Sequence, residues 1–162
     1  MSRRATVAAV DLGAVAHNVS VMKAIAGDAR LIAVVKAGAY GHGAVAVAET
    51  VLAAGADGLA VALVQEGVEL RRAGIEAPIM LLSEQPIEQL AESVAHGLIA
   101  TAYSARFIDA LAEEARRHDV SGHEVHLKVD TGMNRVGAHP RSAVDLAGRR
   151  SEEHTSELQS RQ

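Results

Sequence analysis

The feature that most limits what this chain can fold into is a regular alternation of short aliphatic runs with amphipathic stretches. Five runs have strand character: Leu31–Val35, Leu59–Leu63, Ile79–Leu82, Ile99–Ala102 and His123–Val129. Helical patterns fill the intervals near Ala44–Ala54, Gln65–Ala73, Ile87–His96 and Ala105–His118. Three of them run into a glycine (Gly55, Gly74, Gly97), the residue that supplies the left-handed cap ending a helix. Ser104 stands at an N-cap position and Pro86 where a first-turn proline belongs. Strand–helix units that repeat at roughly 20 to 27 residues imply parallel strands joined by right-handed crossovers. Two architectures accept that repeat, a (β/α)8 barrel and an open doubly wound sheet, and periodicity does not choose between them.

Composition narrows the core and the partners. Hydrophobic residues make up 49% of the 162 but aromatics only 2%, so the core is built from Ala, Val, Leu and Ile. That mix suits small-residue helices packed on aliphatic strands. A formal charge of −4 offers no basic footprint for nucleic acid. The absence of cysteine excludes disulfides and thiolate metal sites and agrees with the cytosol. Arg3 and Arg4 precede too short an apolar stretch for a signal peptide, and no run reaches membrane-spanning length. The expectation is a soluble cytoplasmic protein with neither nucleic acid nor membrane as partner.

Chemistry concentrates in two segments. The first, Ile32-Ala-Val-Val-Lys36-Ala-Gly-Ala-Tyr40-Gly-His-Gly43, is an apolar strand that ends in lysine and breaks into a glycine-rich turn. Burial at a strand's carboxyl end lowers a lysine's pKa and makes its amine a nucleophile, while glycines let backbone amides approach an anion. Together they point to a carbonyl cofactor held as a Schiff base with its phosphate gripped by the loop, which describes pyridoxal 5'-phosphate. A lone strand-terminal lysine is usually a solvated end; the KAGAYGHG context is what favours catalysis here. His42, between two glycines, reads as a turn residue or a support behind the site rather than a ligand, and no metal site is arguable.

In the second segment Val125, Leu127 and Val129 alternate with His126, Lys128 and Asp130. Barrel strands, buried on both faces, are nearly continuous hydrophobics, so three ionisable groups on one face signal function or a partly solvated face. The row leads into Thr131-Gly-Met-Asn-Arg135, and Arg135 offers a planar fork suited to a carboxylate.

Ala33 to Gly43 resembles the cofactor-lysine motif of the alanine racemases, and Leu127 to Gly137 (LKVDTGMNRVG) resembles their second signature. Asp11-Leu12 with Asn18 is similar to the family's opening segment. The likeness runs from about Val7 to about Leu146, and Gly38 stands where many relatives carry Asn or Asp. The resemblance implies the barrel: a partial (β/α)8 TIM-type α/β fold with about five of eight strands, the C-terminal β-domain absent. It implies Lys36 as cofactor lysine and proton carrier, Tyr40 on the cofactor phosphate, and Leu82 lining the cofactor site. It places Arg135 on the substrate carboxylate or the cofactor's phenolic oxygen, and Lys128 at a lysine carbamylated in some relatives. Without that modification Lys128 and Arg135 repel one another. The implied activity is interconversion of L- and D-alanine, supplying D-alanine for peptidoglycan, in a homodimer whose partner lends a second, tyrosine base from a later domain.

Two other readings share the fold, a non-catalytic pyridoxal-phosphate carrier barrel and a barrel-type amino-acid decarboxylase. Residues 1–149 form the incomplete barrel domain on this reading. Residues 150–162 break the rhythm: RSEEHTSELQSRQ is polar and similar to translated sequencing adapter, so it is expected to be non-native and disordered. The chain as it stands is expected to be loosely packed or aggregating, and inactive.

Overall fold

The computed structural model describes residues 7–149. The polar tail at 150–162 therefore lies outside the described residues. Five parallel strands follow one another side by side: β1 (Ile32–Val34), β2 (Gly58–Val61), β3 (Ile79–Leu81), β4 (Ala100–Ala102) and β5 (Val125–Leu127). β1 pairs with β2, β2 with β3, and β4 with β5; a bridge from Met80 to Ile99 carries the order across from β3 to β4. Sequential neighbours, all parallel, give the curved wall of a partial (β/α)8 barrel. Each strand is a residue or more shorter than the aliphatic run that encodes it, yet the pairing continues past the ends. Val35 N–H donates to Ala60 O at 2.9 Å, Leu82 N–H to Val61 O at 2.9 Å, and Lys128 N–H to Ala102 O at 2.9 Å.

The register sorts every strand residue onto one of two faces. Ala33, Val35, Leu59, Val61, Ile79, Leu81, Ala100, Ala102, Val125 and Leu127 share the outer face. There they meet the apolar stripes of α3 (Ala44–Ala53), α4 (Val64–Arg72), α5 (Leu90–Ala95) and α6 (Ala105–Arg117). One apolar cluster holds β1–β3 against α3 and α4, through Val47, Val51, Val64 and Val68; a second holds β4 and β5 against α5 and α6, through Leu90, Phe107, Ile108 and Leu111. The inner face carries Ile32, Val34, Gly58, Ala60, Met80, Ile99, Thr101 and His126.

α3, α4 and α5 each stop by one device at the predicted glycine. Gly55, Gly74 and Gly97 have φ of 106°, 89° and 58°. The amide after each reaches back to the helix, Ala56 to Val51 O, Ile75 to Leu70 O and Leu98 to Ser93 O, at 2.9–3.1 Å. Ser104 caps α6 as expected, its hydroxyl accepting Phe107 N–H at 3.3 Å. Pro86 stands one position before the helical residues rather than within the first turn, and the stretch Ile87–His96 divides into a 3-10 turn, Ile87–Gln89, and α5.

A long helix goes beyond the sequence reading: α1 (Leu12–Ala26), capped by the Asp11 carboxylate on Ala14 N–H at 3.0 Å. It buries no residue fully and rests on α3 through Val15 and Val19. Lys23 ties it down, its Nζ 2.6 Å from Asp57 Oδ2, which also accepts Leu31 N–H at 2.6 Å. The Lys23 bond and that amide hold the Asp57 carboxyl below the usual carboxylate range.

Candidate active site

Two residues beyond the inner-face positions Val34, Met80 and His126 stand Lys36, Leu82 and Lys128. Each therefore sits at the carboxyl rim, where active sites gather in parallel α/β folds. Lys36 and Lys128 are both half-buried. The Lys128 ammonium donates to Leu82 O at 3.1 Å, so the ends of β3 and β5 meet across β4.

Lys36 opens α2 (Lys36–Gly41), a short helical turn of the left hand. Ala37, Gly38, Ala39 and Tyr40 have φ of 52°, 63°, 53° and 57° with ψ between 35° and 50°. L-residues other than glycine give up roughly 1–2 kcal/mol each in that conformation, so Ala37, Ala39 and Tyr40 together need outside support. Ala39 N–H donates to Val35 O at 2.8 Å, Gly43 N–H to Gly38 O at 2.8 Å, and His42 N–H to Ala39 O at 3.1 Å. His42 adds its ring, with Nδ1 donating to Ala39 O at 2.7 Å, and is the turn residue the sequence suggests. Tyr40 is carried onto the rim 61% exposed.

Arg135 lies in the loop after β5, exposed, with its Nε donating to Met133 Sδ at 3.2 Å. The structure does not bring it against Lys36 or Lys128. Asp130 departs from the expected row of inward charge. Its carboxylate folds back on its own loop, accepting Gly132 N–H at 2.9 Å and Asn134 N–H at 3.1 Å, and those amides lower its pKa. His126 pairs instead with Glu124 at 3.2 Å, toward the amino-terminal end of the strands.

Sequence reasoning passed over three residues that lace the rim together. Glu66 accepts Ala37 N–H with one oxygen and Ala62 and Leu63 N–H with the other. Buried Gln85 donates to Ala62 O at 3.0 Å and Ser83 O at 2.9 Å. Glu84 accepts Tyr103 and Ser104 N–H at 2.7 and 2.6 Å and the Ser104 hydroxyl at 3.0 Å. The signal for Glu66 was an acid three residues inside a helix start; its reach to Ala37, 29 residues back, exists only in three dimensions.

The family model of the alanine racemase N-terminal domain matches residues 10–160. The chain is similar to the alanine racemase of Symbiobacterium thermophilum, 48% identical over 137 residues, covering 85% of this chain and 36% of that protein. It superposes on the alanine racemase of a D-cycloserine-producing Streptomyces lavendulae with TM-score 0.83 and 34% identity, covering 91% of this chain and 38% of the other. With the Bacillus anthracis alanine racemase, solved with bound L-Ala-P, the TM-score is 0.79 at 34% identity, covering 89% and 37%. The chain thus spans little more than a third of the length of these relatives.

Proposed function

The chain belongs to the alanine racemase N-terminal domain family, and from that premise we propose that it carries the cofactor-lysine part of a pyridoxal-phosphate-dependent enzyme interconverting L- and D-alanine. The observation that carries this reading is half-buried Lys36 at the carboxyl end of β1, opening a left-handed turn that also carries Tyr40. The donor set suits the cofactor. An amine meets its aldehyde, a phenol (Tyr40) meets its phosphate, and Leu82 offers an apolar surface to the ring. When bound, pyridoxal phosphate supplies a sink for the electron pair left as the α-proton departs.

The chain's own groups divide the remaining tasks. Lys36 would hold the cofactor covalently and, with substrate bound, would move a proton to or from one face of the α-carbon through Nζ. Tyr40 donates its hydroxyl to the phosphate. Arg135 is the fork for the substrate carboxylate, which requires the loop at 131–137 to turn its guanidinium toward the rim. A carbamate on Lys128 converts a cation into an anion able to attract Arg135 inward. Racemisation also needs a proton carrier on the opposite α-carbon face, a role we assign to a later domain of the partner subunit in a homodimer. We place the longer protein in the cytoplasm, supplying D-alanine to the cell wall; among the described residues no helix is long and apolar enough to cross a membrane. Residues 1–149 are the barrel portion in this proposal, and 150–162 a non-native tail.

Borohydride reduction in the presence of pyridoxal phosphate, followed by peptide mapping, tests the assignment. The chain has three lysines, Lys23, Lys36 and Lys128, so the outcome is unambiguous. The cofactor mass is expected on Lys36; its appearance on Lys23 or Lys128 in preference overturns the reading.

A further inference from the structure

Glu66 occupies the third position of α4, where an acidic side chain ordinarily caps the helix by accepting the amide ahead of it. Its Oε2 does so, taking Leu63 N–H at 3.0 Å and Ala62 N–H at 2.8 Å. Leu63 has no side-chain acceptor with which to return the bond, so the cap is one-sided. The second oxygen leaves the helix altogether. Oε1 takes Ala37 N–H at 2.5 Å, the amide directly after Lys36 and the first of the four left-handed residues. A cap alone has no use for that bond.

We propose that Glu66 is a positioning residue for Lys36: its carboxylate grips the Ala37 amide and thereby aims the lysine amine at the inner rim. Lys36 is held on both sides. Ahead of it, Val35 N–H is bonded to Ala60 O, and Val35 O receives Ala39 N–H. Behind it, Ala37 is exposed, and in the described structure its N–H bond is the one to Glu66. Because the same carboxylate is anchored at the end of β2, the turn cannot swing without dragging α4 and β2 with it. Released from Glu66, Ala37 has every reason to leave a conformation unfavourable to alanine, and Lys36 rotates with it. Two N–H donors on Oε2 and one on Oε1 also explain a carboxylate here, since a carboxamide turns a donor toward one set of amides.

This inference rests on Lys36 being the cofactor lysine, and the experiment separates the two ideas. Glu66→Gln keeps size and leaves its oxygen with the two-amide cap, so its NH2 faces Ala37 N–H. Amide exchange and borohydride trapping of pyridoxal phosphate are measured on the 162-residue chain, wild type and variant, with the visible band of the lysine-bound cofactor as the spectroscopic readout. Expected in the variant are exchange at residues 37–40 faster by about tenfold and a similar loss of trapping rate and band on Lys36, less than the roughly hundredfold cost of displacing a reacting group by a full ångström. Core amides of β2 and β3 keep their wild-type exchange, which separates positioning from general loosening. Unchanged exchange at 37–40, or unchanged trapping where the wild type is trapped at Lys36, overturns the proposal. If the wild type shows no Lys36 band, the cofactor reading falls, and exchange at 37–40 alone then decides the grip. Should the variant fail to fold, the wild type still decides: an Ala37 amide exchanging at the unprotected rate refutes the bond, and a protected one in so exposed a turn supports it.

Discussion

Gly137 and Gly38 both have positive φ, yet the structure asks different things of them. A Cβ on Gly137 lies 2.7 Å from the Asp130 amide nitrogen and 3.1 Å from the Val129 carbonyl carbon. There the chain closes on β5, with Asp130 N–H on Ala138 O at 2.9 Å and Ala138 N–H on Lys128 O at 2.8 Å. Both offending atoms are backbone, so nothing flexible can yield. A Cβ on Gly38 meets open space, and only its left-handed φ of 63° matters. Gly137→Ala is therefore expected to destabilise by about 2–4 kcal/mol and Gly38→Ala by about 1 kcal/mol, read from urea midpoints at constant m. Equal effects mean that the Gly137 contact is relieved by backbone movement. Glycine at position 38 suits this turn, because it enters the left-handed region without the penalty a Cβ brings. The sequence displayed both glycines, but which one faces a wall of backbone was decided by folding.

At the scale of elements, four helices end in the same way and one uses the wrong residue. α6 stops with Val120 N–H on Ala115 O at 2.9 Å, and the residue at the turning point is Asp119, at φ 52°. An aspartate there bears left-handed strain and sets a negative charge against the carbonyl end of the helix. Asp119→Gly relieves both, and we expect a gain of about 0.5–1 kcal/mol in thermal or urea unfolding. A loss shows that the greater freedom of glycine in the unfolded chain wins. Helices α3 to α6 were legible because each lays a stripe of apolar residues on the sheet and carries a recognisable cap, a glycine after α3, α4 and α5 and Ser104 before α6. α1 was not, since Val21, Met22 and Ile25 lie exposed on it and no face is buried to impose a period. Its anchoring by Lys23 to Asp57 joins residues 34 apart, a pairing that local patterns do not contain.

Seen whole, the molecule is a wall with a finished outside and an open inside. Helices cover the outer face of all five strands, whereas β1 has β2 as its one partner strand among the described residues and Val34 is 40% exposed. An unpaired strand edge invites pairing with another chain, and the exposed apolar residues Val21, Met22 and Ile25 of α1 add to that tendency. The 162-residue chain is expected to associate with rising concentration in sedimentation, and to form no D-alanine from L-alanine with added pyridoxal phosphate. The second expectation follows from having Lys36 on one side of the α-carbon and assigning the opposite proton carrier to another domain. Turnover by monodisperse monomer refutes both. The inner surface also shows why the charge row was only partly foreseen. Strand alternation placed His126 and Lys128 correctly, but the strand ends at Leu127, and beyond it Asp130 obeys the needs of its own turn.

Local physics was sufficient for the order of the five strands and of helices α3 to α6, the glycine ends and the Ser104 cap, because each depends on neighbours within a few residues. The resemblance of two short motifs selected the barrel over the open sheet, and with it Lys36, Tyr40, Leu82, Lys128 and Arg135 as residues of interest. Tertiary structure alone decided that the KAGAYG segment winds left-handed, that Glu66 supports it from 29 residues away, and that Lys128 reaches Leu82 across β4. Those contacts join chain segments brought together by the register of parallel strands. A one-dimensional pattern records which face a residue takes along its own strand, but not which distant amide or carbonyl waits on that face.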